Sequence, residues 1–508
     1  MQHIAGGDYQ PVPTMGNATF EQQLDHNDPD AGTFSQWYMY DTSFWNGPGS
    51  PVVFFTPGEV NASAYTSYLS TNRTTGVLAQ EIGAAIIVFE HRYWGYSSPV
   101  GNELTTENMV HLTLENAIYD MTNFARNAEL PFDKSGRTNA KNAPWIMMGG
   151  SYSGALSAWT ESVDPGTFWA YHSSSAPVQA ISDYWAYFSP VQEGMPKNCS
   201  KDVNLVIEHI DDVLKTGSDE AVYDLKAMFG LETVEHNDDF AAALEWGPWL
   251  WQGNQFYTDT GFFDWCDFIE NSVNETDSSK LPDTEGVGLD KALAGYAKWG
   301  KDEYFPTFCS ETYGYFAEGS MECFDTYNKS SPLFTDVSLS NQVSRQWQWM
   351  LCNEPFGYWQ TGAPEGQPTL VSSLVDAEYW IRQCDLFFPP GPNGETYGLA
   401  KGKTEEQLND YTGGWDIVDS TRLLYVNGDY DPWRTASVSS WELRPDGALN
   451  STEKVPVVIV PGGFHVSDLV TQNGKANAGV QEAIDQVVAQ LAAWVAEFPK
   501  RHGREWRG

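Results

Sequence analysis

Residues 144–154 read Pro-Trp-Ile-Met-Met-Gly-Gly-Ser-Tyr-Ser-Gly. An apolar run that ends in small residues is typical of a buried strand that enters a tight turn. A nucleophile on a strand-turn-helix needs small residues two positions before and two positions after it, and Ser151 has Gly149 and Ser153 there. The strict motif has glycine at the second of these positions. Ser153 has Ser151 two positions before it and Ala155 two positions after it. It stays a rival nucleophile, because the spacing favours Ser151 without excluding Ser153.

The chain around this turn alternates between strand-like and helical sequence. Short apolar runs typical of buried parallel strands occur at 51–56, 84–90, 144–148, 168–177, 423–426 and 455–460. Residues 154–163 have helical composition, and apolar residues from Val480 to Trp494 follow helical spacing. The pattern predicts an α/β fold with a mostly parallel sheet.

The middle of the chain has a different character. Strand-like runs disappear from about residue 183 to 412, while amphipathic stretches such as 203–214 appear. We therefore expect an α/β-hydrolase fold with a large, mainly helical cap inserted between strands of the sheet. The predicted domains are 1–182 (hydrolase, first part), 183–412 (cap) and 413–508 (hydrolase, second part).

Candidate partners for Ser151 follow the last two strand-like runs. In this fold an acid follows a later strand and a histidine follows the last strand. Residues 427–433 contain Asp429 and Asp431, between which spacing does not choose. His465 is the one histidine of nine that lies between the last strand and the last helix. The order predicts acyl transfer, in which His465 takes the Ser151 proton and a carboxylate orients the imidazole.

Backbone amides should stabilise the oxyanion of such a reaction. The residue after the nucleophile, Tyr152, is expected to supply one amide. Gly58 or Glu59, in the turn after the first apolar run, should supply the second, although this segment is equally an ordinary glycine turn.

The charge balance excludes some partners. Asp and Glu total 68 against 28 Lys and Arg, a formal net charge of -40, so nucleic acid and anionic membranes are not expected partners. The acids are spread along the chain, which indicates either a solvated acidic surface or adaptation to an acidic medium. The first residues lack a leader pattern, and we expect a secreted protein whose leader has been removed.

Cysteines and glycosylation sequons also favour secretion. The six cysteines, which allow fifteen pairings, are Cys199, Cys266, Cys309, Cys323, Cys352 and Cys384. The seven Asn-x-Ser/Thr sequons begin at Asn17, Asn61, Asn72, Asn198, Asn274, Asn328 and Asn450. Disulfides are expected, and no Cys-x-x-Cys pattern indicates a metal; neither a metal nor a cofactor is expected.

Four motifs in order resemble one family of serine peptidases. They are Gly-Gly-Ser-Tyr-Ser-Gly-Ala-Leu (149–156), Glu-His-Arg-Tyr-Trp-Gly (90–95), Asn-Gly-x-x-Asp-Pro-Trp (427–433) and Gly-Gly-Phe-His-x-Ser-Asp-Leu (462–469). The chain resembles the family of lysosomal Pro-X carboxypeptidase and dipeptidyl peptidase II, most closely its secreted acid prolyl endopeptidases of Aspergillus type. The resemblance implies that Ser151 is the nucleophile, Asp431 the acid and His465 the base.

The same resemblance implies a specificity and two disulfides. It implies cleavage after proline, with Trp433 as one wall of the proline pocket; Phe356 is a further candidate for that pocket. It also implies that Cys352 pairs with Cys384 and Cys309 with Cys323.

These observations predict a secreted, acid-active serine endopeptidase that cleaves proline-containing peptides on the carboxyl side of proline through an acyl-enzyme. An exopeptidase of the same family, either a Pro-X carboxypeptidase or a dipeptidyl peptidase, is the first alternative. A lipase or carboxylesterase with the same three residues is more remote, and a noncatalytic adhesion module is a further option.

Overall fold

The computed structural model of the chain describes residues 14–277 and 279–499. The strands in these residues, β1 to β10, are Met15–Asp25, Asp28–Asp41, Val52–Phe55, Ala85–Phe89, Trp145–Gly150, Ala170–Ser174, Ile181–Asp183, Gly357–Trp359, Leu423–Gly428 and Val457–Val460. Eight of them form one sheet in the order β1-β2-β4-β3-β5-β6-β9-β10, and β7 pairs with β8 separately. From β4 to β10 all neighbours in the large sheet are parallel, whereas β2 is antiparallel to β1 and β4. The chain has the predicted α/β-hydrolase fold.

The helices of the described residues, α1 to α18, cover the sheet and fill the middle of the chain. They are Thr74–Ile82, Leu114–Asn127, Tyr152–Val163, Ser189–Gly194, Lys197–Thr216, Asp219–Met228, Asn237–Leu244, Trp246–Trp249, Phe262–Ile269, Leu289–Lys298, Phe305–Tyr313, Pro332–Thr335, Arg345–Asn353, Ala377–Ile381, Cys384–Phe387, Glu405–Thr412, Thr471–Ala476 and Ala478–Ala496.

The central strands are apolar along their whole length because helices cover both faces of the sheet. In β4, Ile87 packs in the core that α2 and α3 cover, while its neighbour Ile86 packs in the core beneath α1 and α18. Adjacent strand residues point to opposite faces, so a run with both faces buried has no polar alternation. This explains why continuous apolar runs located the central strands.

Helices dominate the segment between β6 and β9, which are neighbours in the sheet although residues 175–422 separate them. This segment also contains β8, whose Gly357 and Trp359 pair with Ile181 and Asp183 of β7. These three-residue strands and the β1-β2 hairpin were not predicted. The domain boundaries at 182/183 and 412/413 stay predictions.

Three disulfides lie in this middle segment. Cys309 pairs with Cys323 and Cys352 with Cys384, which confirms both pairings implied by the family resemblance. The remaining candidates, Cys199 and Cys266, pair with each other and join α5 to α9. Among the helices of the described residues, none combines the length and apolar character needed to cross a membrane.

The sequon asparagines differ in accessibility. Six of the seven are exposed, and Asn198 is half-buried. Its Nδ2 donates a hydrogen bond of 2.9 Å to Glu270 Oε2. Glycosylation at these sites stays a prediction.

Candidate active site

The turn that carries Ser151 lies between β5 and α3. Ser151 has φ 60° and ψ −133°, a backbone conformation that L-residues seldom adopt. A Cβ placed on Gly149 would lie 1.9 Å from the carbonyl oxygen of Ser153, so the turn closes only with glycine there. Ser151 N–H donates to the carbonyl of Ser174 at the end of β6, 2.9 Å away. Ser151 is therefore presented, partly exposed, at the carboxyl edge of the parallel strands.

The side chain of Ser153, the rival nucleophile, forms hydrogen bonds within the turn. Its side chain is only 1% exposed. Its Oγ donates to the carbonyl of Gly150 at 2.8 Å and accepts from the Gly150 N–H at 3.0 Å. The Ser153 hydroxyl thus bonds both the N–H and the carbonyl of Gly150 and stabilises the bend. Ser153 therefore has a structural function at the small-residue position of the turn.

The loops after β9 and β10 bring an acid and a histidine together. His465 Nδ1 lies 2.9 Å from Asp431 Oδ1, which also accepts the Trp433 N–H at 3.0 Å. Asp431 is fully buried and His465 is nearly so. Asp429 instead accepts the Gly462 N–H and so connects the two loops. Of the two acids that spacing left open, Asp431 contacts the histidine.

The end of β6 joins the Ser151 turn to the His465 loop. The carbonyl of Ser174 accepts from Ser151, and Ser175 Oγ accepts from Val466 N–H at 2.8 Å. A buried cluster lies beneath this junction, where Asp468 accepts from Ser174 Oγ at 2.5 Å and contacts His172 Nε2 at 2.9 Å. The cluster binds the loop of His465 to the same strand that fixes Ser151.

The candidate oxyanion donors lie beside this junction. Tyr152 is the first residue of α3, where a backbone N–H has no partner within its own helix. Gly58 packs against Tyr152, but its N–H donates to Thr56 Oγ1 at 3.3 Å. The Glu59 N–H in turn is directed at the Glu59 carboxyl, so the choice between Gly58 and Glu59 as the second donor stays open.

The Glu59 side chain has an unusual electrostatic setting. Burial raises its pKa to about 7, even though its own backbone N–H and the nearby His465 both lower it. Glu59 is therefore a largely neutral carboxylic acid in acidic solution and becomes charged near neutrality.

Aromatic side chains surround Trp433. The rings of Tyr184, Tyr187 and Tyr358 lie 5.7, 5.4 and 5.3 Å from its indole, and the His465 ring lies 6.4 Å away. These distances are typical of packed aromatic pairs. The structure thus places Trp433 near His465, and its function as a wall of the proline pocket stays a prediction.

Phe356 lies behind this group. It is fully buried and stacks on Trp159 with 5.5 Å between ring centroids. It also contacts Tyr152 at 5.8 Å and Tyr358 at 5.9 Å. Phe356 supports the aromatic wall from behind.

Sequence reasoning missed several residues that support the site. His91 Nε2 contacts the Tyr152 hydroxyl at 3.1 Å and its Nδ1 contacts the Arg92 carbonyl at 2.8 Å, and burial lowers the His91 pKa to about 4. A neutral His91 that donates from Nδ1 can accept from Tyr152. Arg92 forms a two-hydrogen-bond pair with Asp120, at 2.7 and 2.6 Å. The sequence pointed to the motif at 90–95, but only the fold shows that His91 of this motif contacts Tyr152, the residue after Ser151.

No group of three or more histidine, cysteine or carboxylate side chains is arranged to hold a metal ion in residues 14–277 and 279–499.

The sequence profile of one peptidase family, described as "Serine carboxypeptidase S28", matches residues 22–246 and 304–486. The chain belongs to the S28 family of serine peptidases. Two relatives of this S28 chain, from Bipolaris victoriae, are named serine proteases vicPb and vicPa. They are 41% and 42% identical over 486 and 487 residues, and each match covers 95% of this chain and 89% of the relative.

A more distant S28 relative comes from Arthroderma benhamiae and is named "Probable extracellular serine carboxypeptidase". It is 28% identical over 92% of this chain and 65% of its own length. Among solved structures, a proline iminopeptidase of Mycobacterium smegmatis is 10% identical, with a TM-score of 0.35 over 94% of this chain and 98% of that chain. The fold assignment of this S28 peptidase rests on its own strand order.

Proposed function

We propose that this S28 peptidase is a secreted, acid-active endopeptidase that cleaves peptide bonds on the carboxyl side of proline. The observation that carries the proposal is the aromatic group around Trp433, next to His465. A proline ring is rigid and apolar, so it loses little conformational entropy when it packs against aromatic walls. Aromatic rings beside the proposed base therefore favour proline at the acyl side of the cleaved bond.

The proposed catalytic residues are Ser151, Asp431 and His465. Ser151 Oγ attacks the substrate carbonyl while His465 Nε2 accepts the hydroxyl proton, and Asp431 holds His465 through Nδ1. The N–H of Tyr152, together with that of Gly58 or Glu59, then stabilises the oxyanion. His465 returns the proton to the leaving amine, and water releases the acyl group from Ser151 by the same steps in reverse order.

Glu59 supports activity in acid. With a pKa raised to about 7, its carboxyl is neutral in acidic solution and carries no charge that would oppose a negative oxyanion nearby. Above that pH an ionised Glu59 would repel the oxyanion. Activity should therefore fall as the pH rises through about 7.

Endopeptidase action is supported by the ion pairs of Arg434, the residue after Trp433. A free cation at this position would suit the terminal carboxylate of a carboxypeptidase substrate. Arg434 is fully buried and is paired with Glu442 at 2.6 Å and Glu193 at 3.2 Å, so it is not free for that function. The family description and the name of the Arthroderma relative favour the second candidate, an exopeptidase.

Secretion is supported by three disulfides, the exposed sequons and the extracellular relative. Fluorescence of a tagged chain in culture medium against cell lysate would test it. Retention of the protein in the cells would contradict it.

Product mapping by mass spectrometry tests the activity. The substrate is a proline-containing peptide blocked at both ends, incubated with wild type and with Ser151→Ala. Internal cuts after proline that disappear in the variant support the proposal; a blocked peptide that stays intact while the unblocked peptide is trimmed would establish the exopeptidase instead. Trp433→Ala should lower kcat/KM by about 10- to 100-fold, whereas Tyr223→Ala, at a ring that is 56% exposed, should not change it.

A further inference from the structure

One short stretch of the helical segment between β6 and β9, residues 250–256, contacts the loops of the proposed catalytic residues. It begins with the 3₁₀ helix Leu250–Gly253 and runs on to Phe256. Three of its side chains form hydrogen bonds with the loops that follow β9 and β10. These are Trp251 with the Tyr430 carbonyl at 2.8 Å, Gln252 with Trp433 Nε1 at 2.9 Å and Gln255 with the His465 carbonyl at 3.0 Å.

Gln252 fixes the indole of Trp433. Its Oε1 accepts from Trp433 Nε1 and, at 2.6 Å, from the Tyr187 hydroxyl. An indole N–H only donates, so the amide of Gln252 has to turn its oxygen toward Trp433. The Tyr187 ring also packs edge-on against the indole, with 5.4 Å between ring centroids. Rotation of the indole would break its hydrogen bond, so Gln252 keeps the ring in the orientation that it has near His465.

Gln255 fixes the backbone of His465. Its Nε2 donates to the His465 carbonyl, and its Oε1 accepts from Asn473 Nδ2 at 2.6 Å. Asn473 is fully buried, and its Oδ1 accepts from the Phe256 N–H at 3.0 Å. Because a backbone N–H only donates, this contact determines the orientation of the Asn473 amide and, through it, that of the Gln255 amide. The group that reaches His465 is therefore a donor.

Trp251 contacts the residues that precede the proposed acid and base. Its indole is 1% exposed, and its Nε1 donates to the carbonyl of Tyr430, which directly precedes Asp431. Its ring lies 5.3 Å from the ring of Phe464, which directly precedes His465. Trp251 therefore packs against both loops and holds the stretch in place.

The two glutamines hold groups with different functions in the proposed reaction. Proton transfer requires the base within hydrogen-bond reach of the serine hydroxyl, and a displacement of about 1 Å can cost about 100-fold in rate. The position of His465 therefore affects every substrate. The orientation of the Trp433 indole instead affects the substrates whose side chain packs against it.

We propose that residues 250–256 are a positioning element of the proposed active site. Gln252 determines the preference for proline because it fixes the Trp433 indole, and Gln255 holds His465 where it accepts the Ser151 proton. Neither glutamine needs to contact the reacting atoms. The inference rests on the proposed function, since it takes Trp433 as a wall of the proline pocket and His465 as the base.

Steady-state kinetics with two blocked substrates, a Gly-Pro and a Gly-Ala anilide, test Gln252. Gln252→Leu removes the acceptor of the indole N–H, so the ratio of kcat/KM for proline over alanine should fall by about five- to tenfold, mainly through KM of the proline substrate. Gln252→Glu keeps an acceptor oxygen and should restore most of this ratio. Gln486→Leu, at an exposed glutamine on α18, is the control and should leave the ratio unchanged. Equal losses for the two substrates in Gln252→Leu would overturn the inference.

The rate at which an organofluorophosphonate labels Ser151 tests Gln255, because this reaction needs the base but no peptide. Gln255→Leu removes the donor to the His465 carbonyl and should lower the second-order labelling rate by about tenfold. It should lower kcat for both anilides by the same factor and leave their ratio unchanged. Gln252→Leu should be labelled at the wild-type rate. Labelling of Gln255→Leu at the wild-type rate would contradict the positioning of His465.

Failure of the proposed function would appear in wild type itself. Wild type that cleaves the two anilides at equal rates, or leaves both intact, would contradict the preference for proline. Crystal structures of two variants then still test the positioning: the Trp433 indole should leave its wild-type position in Gln252→Leu and keep it in Gln252→Glu. An indole that stays in place in Gln252→Leu would show that Gln252 does not fix it.

Discussion

Two sets of buried polar side chains, one near Ser151 in the sheet part and one in the helical insertion, differ in their partners. Around Ser151, buried polar groups are paired: Arg92 forms an ion pair with Asp120, and His172 contacts Asp468. In the insertion, Glu245 and Glu270 are buried and, within the described residues, neither forms an ion pair with a cation; Glu245 contacts Trp249, and Glu270 Oε2 accepts from Asn198. Paired charges fix positions, whereas an unpartnered buried carboxyl is tolerated best as a neutral acid. Paired groups hold the edge that carries Ser151 in place, and buried carboxyls without a cation suit the acidic solution of the proposed function.

The largest expected effect is at the catalytic edge. Ser151→Ala should lower kcat/KM for proline peptides by about 10⁴-fold or more, because no acyl-enzyme forms. Ser153→Ala removes a neighbouring hydroxyl that only supports the turn, and steady-state kinetics should show a loss of less than about tenfold. A larger loss in Ser153→Ala than in Ser151→Ala would make Ser153 the nucleophile.

Breaking a buried polar pair of the sheet part should have the next largest effect. Asp468→Ala leaves the buried His172 ring and Ser174 hydroxyl without their partner, so the free energy of unfolding should fall by about 2–4 kcal/mol in urea titrations. The exposed pair of Lys201 and Glu285 is the control, and Glu285→Gln should leave stability unchanged. A stable Asp468→Ala protein would refute the claim that pairs of this kind fix the edge.

Glu59 lies in the sheet part, but burial raises the pKa of its carboxyl as it does for Glu245 and Glu270 in the insertion. Glu59→Gln keeps this side chain neutral at every pH, so the fall in kcat/KM that wild type shows above about pH 7 should move to higher pH. The variant should exceed wild type by about tenfold at the alkaline end of the profile. Superimposable pH profiles would exclude Glu59 as the cause.

The smallest effect is expected at Glu270 in the insertion. Burial, together with Asp202, raises its pKa. Its folded pKa is above the unfolded value, so its contribution to stability is complete below the unfolded pKa and is lost as the pH rises through the raised folded pKa. Glu270→Gln mimics the protonated form, and urea titrations near pH 7 should find it about 1 kcal/mol more stable than wild type.

The two proteins should be nearly equal in stability at a pH below 4.5, the ordinary value for a glutamate. A constant difference between them at all pH values would show that Glu270 does not titrate in this range.

The sequence predicted most of the sheet because the central strands are apolar throughout. It missed β1, which has the polar sequence Met-Gly-Asn-Ala-Thr-Phe-Glu-Gln-Gln-Leu-Asp and lies at the edge of the sheet, partly in solvent. It also missed β7 and β8, which are too short to show a period of two residues.

The site was predictable to the extent that strand order determines it. Asp429 and Asp431 follow the same strand two residues apart, so spacing does not distinguish them. The family resemblance implied Asp431, and in the fold it is Asp431 that contacts His465. The aromatic neighbours of Trp433 could not be found in this way, because Tyr184 and Tyr358 come from distant segments that only the folded chain brings together. Side chains that act through three-dimensional proximity leave no spacing pattern in a sequence.

The pairing of β6 with β9 across residues 175–422 has a consequence for biosynthesis. A parallel contact between segments so far apart forms slowly, and only after the ribosome has completed the insertion between them. Asp431 and His465 are made later still. A nascent chain therefore carries Ser151 without its proposed partners, and the proposed hydrolysis can begin only after His465 has been made.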